Sequence, residues 1–580
     1  MNEKSVETNA EELADAAQAR ISECLTLQKS FLVQAGAGAG KTESLVKALR
    51  SLQVTAPGSL PRGQRIACIT YTNIAKREIR ERVGDDPRFF IATIHEFFWS
   101  VLQPFQSEMR MSLDVHRFEK ALTKAGLGGI SDQRVEYSRG YRRVSESVIS
   151  LDHDDVPSLA ASLLARPKFA TLLKSLYPIV LIDEYQDTDK SLADAILEHC
   201  IGPAVGPVFG LFGDDWQQIH PRTVGLVSHE NLEVIPKATN FRSGGPIVNV
   251  LNAMRPSLPQ ALPSRKGEGA TLVFHTDSWQ TGRVAGSQMQ GDLDAEFVDL
   301  ALRQVRDSLV IDGWDLSPDR TRTLILTHKA IAARQGYPEI ARILKHNDDF
   351  AKLEHPVIRF LVENVEQART LFSAGNVGRA FEALGMRRPY VHSSTEKAHL
   401  SALLRSVEEA AQTGTIGSML SIFYTEPLSL PGDVQRRLAE VTELGDGNER
   451  SQSEDELEQL LNVRFDEIIA LRDFISHHSP YETKHGVKGA QFENVVVLLG
   501  GGWNHYNFPR FLAYAADPSR IPKKDQAGYM RARNLFYVCA SRPEKNLALL
   551  FTQELSAEAH QVLNSWFGAH NVRSLAAPSA

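Results

Sequence analysis

The segment AGAGAGKT, Ala35–Thr42, fits a relaxed phosphate-loop pattern: Ala or Gly, four free positions, then Gly-Lys-Ser/Thr. Ala35 stands where glycine is commoner. Successive backbone N–H groups from Gly38 to Thr42 can cradle phosphates, and a helix that follows offers its positive end. Gly36, Ala37, Gly38, Ala39 and Gly40 form the loop, with Glu43 just beyond it. Lys41 is placed to reach the β- and γ-phosphates of a nucleotide, and Thr42 to ligate Mg²⁺. The competing reading is a flexible turn. A second segment, IVLIDEYQDTD from Ile179, ends an apolar run in two carboxylates. Asp183 can hold Mg²⁺, directly or through water, and Glu184 can take a proton from an attacking water. An acidic strand cap would explain the two acids but not their coincidence with a phosphate loop.

Elements that could position these groups are legible. Short strands are expected at FLVQ (31–34), RIACIT (65–70), FFIATIH (89–95), YPIVLI (177–182) and VFGLFG (208–213), with helices between the first three. This alternation predicts α/β architecture with a parallel sheet. A mainly helical stretch interrupts it. The pattern returns in ATLVFH (270–275), TRTLILTH (321–328), FENVVVLLG (492–500) and KNLALLF (545–551). Two α/β cores are therefore expected, each carrying a helical insertion. The first core takes residues 1–95 and 176–250 around an insertion at 96–175. The second takes 251–340 and 480–560 around an insertion at 341–479, and 561–580 is a tail that frays at VRSLAAPSA.

Composition bounds the reading. At 580 residues several domains are the default. The net charge of -7 argues against a wholly basic nucleic-acid coat but leaves room for a basic channel. No apolar run is long enough to span a membrane, and the acidic, polar start is unlike a signal peptide. Cys24, Cys68, Cys200 and Cys539 are scattered without a CxxC pair, which disfavours a disulfide framework or a cysteine-rich metal cluster and fits a reducing cytoplasm.

Taken together, the segments resemble the UvrD/Rep/RecB-like superfamily 1 DNA helicases over nearly the whole chain. ITYTNIAKREIRERV (69–83) and ATIHEFF (92–98) are similar to that family's first single-strand contact motifs. LFGDDWQQIH (211–220) resembles the segment linking nucleotide to DNA, and ATNFRSG (238–244) the NYRS motif. THKAIAARQG (327–336) sits where a weaker motif is expected. ETKHGVKGAQFENVVVL (482–498) resembles TxHxxKGLEF, and NLFYVCASRPEKNLALL (534–550) resembles the final YVAxTRA motif. The resemblance implies two RecA-like cores of P-loop NTPase fold, ATP and Mg²⁺ as ligands, and single-stranded or tailed duplex DNA as partner. It implies that Gln217 senses the γ-phosphate, and that Arg242 and Arg542 stabilise the transferring phosphoryl group from opposite sides of a cleft. It places Thr70, Thr72, Asn73, Thr93 and His95 on the DNA backbone from the first core, and Thr483, His485 and Lys488 from the second. Ordinary strand-end capping and a solvated turn are the respective alternatives. Lys76 and Arg77 are either further contacts or a solvated helix face. Travel from 3′ to 5′ is implied by the resemblance alone.

Departures matter. Gln18 and Gln28 both qualify as the upstream glutamine that reads adenine in related enzymes, and neither spacing decides. WQQIHPRTVG lacks the usual aromatic after the sensor glutamine, so a base platform falls to His220, Trp216 or another site. KGAQF puts the uncharged Gln491 where glutamate is usual, and Pro543 is expected to alter a helix start after Arg542. The loop GGWNHYNFPRF (501–511) either stacks on bases or packs on the second insertion; GYRR (140–143) reads as an exposed charged helix or a backbone contact. No appended nuclease domain is expected after Phe551. Length, the DEYQD spelling and small insertions are similar to the helicase-like subunit of Gabija-type antiviral systems, for which a nuclease partner is expected. Three functions stand: a DNA helicase or translocase, an ATP- and DNA-sensing regulator of a nuclease, and a nucleic-acid-binding scaffold with weak ATPase.

Overall fold

The computed structural model describes residues 9–578 apart from 56–60, 62, 138–141, 204, 221, 264–267, 286–290, 326–327, 345–352, 354, 387–392, 425–427, 443–451, 477–480, 483–490 and 501–505. The chain divides into two compact units. The first holds Met1–Leu272, His505–Leu547 and Ser556–Val572; the second holds Val273–Asn504, Ala548–Leu555 and Arg573–Ala580.

In the first unit, strands β1 (Phe31–Ala35), β2 (Ile66–Thr70) and β3 (Phe89–Thr93) alternate with helices Lys41–Thr55 and Asn73–Val83. A small sheet follows, made of β4 (Arg134–Tyr137), β5 (Arg143–Val144) and β6 (Val148–Leu151). The main sheet resumes with β7 (Ile179–Asp183), β8 (Val208–Gly213) and β9 (Glu233–Lys237). Its order is β3-β2-β7-β8-β1-β9, and every neighbouring pair is parallel. Continuous apolar runs such as IACIT and VFGLFG form such strands because both faces are covered. One face packs Phe31, Val33, Cys68, Leu181 and Phe212 against Ile21, Leu45, Leu49 and Ile79 of the flanking helices. The other packs Ile69, Val180 and Ile182 against Phe97, Phe98, Val101, Leu159 and Leu163. The first insertion thus shares the sheet's core rather than building its own. It is mainly helical, yet contains the unexpected three-stranded sheet, order β4-β6-β5. The third strand ends at Thr93, not at His95: a capping box between Thr93 and Glu96 starts the helix Ile94–Leu102 there.

A second six-stranded sheet has the order β12-β11-β13-β14-β10-β15. Its strands are β10 (Ala270–His275), β11 (Thr321–Ile325), β12 (Tyr481–Glu482), β13 (Phe492–Leu499), β14 (Pro543–Phe551) and β15 (Val572–Ser574). Helices from His328 to Ile475 separate β11 from β12. The architecture is therefore two parallel-sheet cores of the tandem RecA-like, P-loop type, with helical insertions.

Three expectations need correction. The segment expected to fray is ordered at its start: the helix Ala557–Phe567 before it buries Leu563, and Val572–Ser574 is the edge strand β15. The N–H of Leu575 donates to His275 O at 2.9 Å, and Trp279 Nε1 donates to Leu575 O. No helix starts after Arg542; Pro543 opens β14, a position where proline's missing N–H is tolerated. Residues 506–542, expected in the second core, fall in the first compact unit, and only β14 returns to the second sheet.

At the end of β9, Lys237 is buried, and its Nζ donates to Ser44 Oγ at 2.5 Å, tying the strand to the helix that follows the phosphate loop. Burial, reinforced by Lys47, pulls its ammonium down from 10.5 to about 8. Below pH 8 both folded and unfolded chains carry the charge, and the folded state bears the full cost of burying it. As pH rises from about 8 to 10.5, the folded chain sheds the proton first and that cost disappears. Lys237→Met is expected to flatten the rise in stability across this window, read as the urea midpoint; an unchanged slope would contradict the assignment.

Candidate nucleotide site

The main sheet's carboxyl edge gathers the chemistry, as open α/β sheets require. Ala35 ends β1 beside Lys237 of β9, and Asp183 ends β7 beside Phe212 of β8. Beyond β1 the loop turns through Gly38 and Gly40, at φ 70 and 76, into the helix that begins at Lys41. Neighbours from other segments fix it. Gln260 Nε2 donates to Ala37 O at 2.8 Å and Thr239 O at 2.7 Å. The N–H of Ala37 donates to Tyr537 Oη at 3.1 Å, and that of Phe241 to Gly38 O at 2.9 Å. Asn240 Oδ1 accepts from Arg242 N and Ser243 N. A side chain on Gly36 would stand 2.4 Å from Gln260 Nε2, and one on Gly38 2.6 Å from Asn240 Oδ1. Small residues are needed here for the loop's own enclosure as well as for phosphates.

One strand, β8, separates β1 from β7. The long Lys41 side chain spans that interval, bringing Nζ to 3.6 Å from Glu184 Oε2. Glu184 is held in the left-handed region at φ 51, ψ 44. For a residue with a side chain this costs on the order of 1–3 kcal/mol and is characteristic of functional turns. The Asp183 carboxyl is buried; burial and the adjacent Glu184 push it up to about 7, only partly offset by Lys41. A cation supplied there would favour the charged form.

A buried polar chain leads from these acids to an arginine. Gln186 lies in the tight turn after β7, is fully buried, and donates through Nε2 to Glu184 Oε2. Its Oε1 accepts from Asp214 N at 3.1 Å. Asp214 Oδ2 accepts from Gln217 Nε2 at 2.8 Å, and Gln217 Oε1 from Arg542 Nη2 at 2.9 Å. Asp214 Oδ1 accepts from Arg255 Nη1 at 2.7 Å, while Arg255 Nη2 binds Asp215 Oδ1 at 2.7 Å. Burial alone would lower the Arg255 guanidinium, but Asp214 and Asp215 overcome it and raise it. Arg542 is fully buried; burial and then Arg242 pull it down to about 9. Arg242 donates through Nη1 to Ser541 O at 3.1 Å. Both arginines act electrostatically on Glu184 within the first unit.

Lys41, Arg242 and Arg542 thus all act on Glu184, and Lys41 also on Asp183, beside a glycine-turned helix start, an arrangement suited to a polyphosphate with a divalent cation. Thr42, in the first turn of the helix after the loop, and Asp183, at the end of β7, carry the kind of oxygen atoms that could hold Mg²⁺. Glu43 points outward to Arg82. Gln18 is half-buried on the helix Ala10–Thr26, and its Oε1 is enclosed without a hydrogen-bond partner among the described residues; Gln28 is exposed in the loop before β1. Gln491 is exposed in the second unit, just before β13.

The residues expected on DNA fare differently. Thr70 is fully buried and donates to Thr72 O, so it shapes the strand end and cannot touch a strand outside. Thr72 and Thr93 each cap a helix, accepting from Ala75 N and Glu96 N, and Asn73 is exposed beside Thr72. Lys76 pairs with Glu96 rather than standing as a solvated cation. His95 lies in the first turn of its helix, and His220 is half-exposed, its carbonyl accepting from Thr223 Oγ1. Thr483, His485 and Lys488 lie outside the described residues. Phe508 and Phe511 take neither role proposed for their loop: they pack with Phe536, Tyr529 and Trp566 inside the first unit. In GYRR, Gly140 and Tyr141 lie outside the described residues, and Arg142 binds Asp155.

Sequence reasoning missed Gln186, Asp214, Arg255, Asn240, Gln260 and Tyr537. For Gln186 a signal existed, two residues after Glu184; Arg255 and Gln260 follow the helix Gly245–Met254 in irregular chain with no local pattern to mark them.

With that geometry in place, comparison with known proteins is informative. A family described as AAA domain matches residues 18–221. The chain is similar to Gabija protein GajB of Bacillus cereus (strain HuB5-5), at 22% identity over 91% of this chain and 94% of that protein. It is similar to the ATP-dependent DNA helicase Rep of Escherichia coli (strain K12), at 25% identity over 44% of this chain and 46% of that one. A shorter likeness, 26% identical over 27% of each chain, is to the ATP-dependent DNA helicase UvrD1 of Mycobacterium tuberculosis (strain ATCC 25618 / H37Rv). The chain carries an ATP-binding, helicase-like fold.

Gln186→Leu keeps roughly the same volume and removes both bonds of the chain's middle link. It is expected to slow ATP turnover about 10- to 100-fold with a much smaller effect on ATP affinity. Steady-state kinetics beside nucleotide-binding titration would check this, and an unchanged turnover number would remove Gln186 from the site.

Proposed function

We propose that the protein is an ATP hydrolase driven by single-stranded or tailed duplex DNA, acting as a 3′–5′ translocase or helicase. The observation that carries this reading is the unbroken hydrogen-bonded path from Glu184 through Gln186, Asp214 and Gln217 to Arg542. A scaffold that merely held nucleotide would have no use for a buried base, sensor and arginine joined in series.

The residues present fit ATP and Mg²⁺. Mg²⁺ held by Thr42 and Asp183 supplies positive charge to the phosphate oxygens. Lys41 shares its charge between Glu184 and whatever anion fills the loop. Glu184, fixed in its left-handed turn, orients a water and takes its proton. Arg542 and Arg242 supply charge where it develops on the transferring phosphoryl group, and the full burial of Arg542 makes its charge effective by excluding water. Gln217 holds Arg542 in place and lies on the same connection, LFGDDWQQIH, as His220. A change at the phosphates is thereby passed along the segment proposed to face DNA.

A second reading has its own support. The likeness to Gabija protein GajB runs over 91% of the chain. On that reading the ATPase senses DNA and regulates a nuclease partner, with little unwinding.

Lys41→Ala is expected to abolish turnover, and Glu184→Gln to leave ATP bound but unhydrolysed. Turnover measured with and without oligo-dT should rise with the oligonucleotide; no stimulation would overturn the motor reading. Strand separation of a 3′-tailed but not a 5′-tailed duplex would support unwinding with the stated direction, whereas stimulated ATPase without separation would favour the regulatory reading.

A further inference from the structure

The turn that carries Gln217 is gripped from outside by the helix that leads to Arg542. That turn, Asp215–Gln217, is a single tight turn after β8. On one side, the Asp214 carboxylate accepts from Trp216 N at 3.1 Å and from Gln217 Nε2 at 2.8 Å. On the other, Asn534 of the helix Gln526–Ala540 donates through Nδ2 to Gln218 O at 3.0 Å and Asp215 O at 3.4 Å, a carbonyl at each end of the turn. Its Oδ1 accepts from Arg533 Nε at 3.0 Å and Nη2 at 2.8 Å. That guanidinium lies 4.0 Å from the centre of the Trp216 ring, in the middle of the same turn. The amide's orientation is thereby dictated: the end facing two carbonyls is the donor, and the end facing a guanidinium is the acceptor. Asn534 is buried, so losing these bonds would leave polar groups unmatched rather than hydrated.

Gln218 carries the grip onward. It donates through Nε2 to Thr223 O at 2.7 Å, and Thr223 Oγ1 donates to His220 O at 2.9 Å. One side chain thus joins the helix leading to Arg542 to the segment proposed to face DNA, by a route separate from the Gln217–Arg542 bond. We infer that Asn534 is a positioning residue that passes DNA occupancy to the nucleotide site without itself binding either ligand. Gln217 keeps its own bonds to Asp214 and Arg542, so the arrangement for hydrolysis without DNA does not depend on Asn534. The register between the His220 segment and the helix does depend on it, and a displacement of one reaches the other through this joint. A short primary amide is the group that fits: aspartate would keep the acceptor and lose the donor, and leucine would lose both. This inference rests on the DNA-dependent reading above.

The test measures ATP turnover without DNA and with saturating oligo-dT, beside the affinity for a fluorescent oligo-dT by anisotropy. In Asn534→Leu, turnover without DNA and the affinity for the oligonucleotide should stay close to those of the wild type. The factor by which oligo-dT stimulates turnover should fall roughly 5-fold or more. Arg533→Met leaves the amide in place but unheld, and should show the same split to a smaller degree. Unaltered stimulation, or basal and stimulated turnover falling in equal proportion, would overturn the assignment and leave the DNA-dependent reading standing. Should Asn534→Leu not fold, Arg533→Met decides by the same criterion. A wild-type protein that oligo-dT does not stimulate would overturn that reading and the assignment with it.

Discussion

Arg542 is fully buried, and burying a guanidinium without partners costs several kcal/mol. The first unit is arranged around meeting that cost. Arg542 Nε donates to Val538 O and Nη2 to Gln217 Oε1. Gln217 is in turn fixed by Asp214, which is anchored by the buried Arg255. Remove any member and a buried charge or amide loses its partner, so the arrangement specifies one geometry. The same guanidinium acts electrostatically on Glu184, so the group most expensive to bury is also the one proposed to act on a phosphoryl group. Arg242 nearby makes the pair mutually repulsive, which an anion in the site would relieve.

The phosphate loop is subject to a related constraint. Its shape does not come from its glycines alone: Gln260, Tyr537 and Phe241 each bond its backbone from outside. Tyr537 also meets Trp216 edge-on, and Trp216 is flanked by Arg255 and Arg533. Loop and sensor segment therefore share supports, and a displacement in one must disturb the other. This is the physical content of coupling in the proposed cycle, and it needs no contact beyond those of the first unit.

How much of this the sequence discloses depends on how local the cause is. The strands of the main sheet are legible because a parallel strand covered on both faces must be a run of apolar residues, and IACIT and VFGLFG can be little else. The acids and the loop are legible because phosphate chemistry fixes their spacing. His95 is misread as strand because the apolar run FFIATI continues past Thr93, while the capping box that breaks it depends on side-chain bonds three residues apart. The small sheet escapes because RVEY and RV are short and partly exposed, with weak alternation. The edge strand VRS escapes because three residues among alanines and serines carry almost no pattern; its pairing is decided by β10. Arg255 and Gln260 escape because their roles come wholly from partners distant in sequence, Asp214 and Ala37.

The central claim is that Gln217 and Arg542 act as one unit. A double-mutant cycle on ATP turnover tests it most directly, with Gln217→Ala, Arg542→Ala and the pair. If Gln217 acts by holding Arg542, the double variant should be no slower than Arg542→Ala alone, giving a large coupling energy. If the two losses in activation free energy simply add, the residues act independently and the account is wrong.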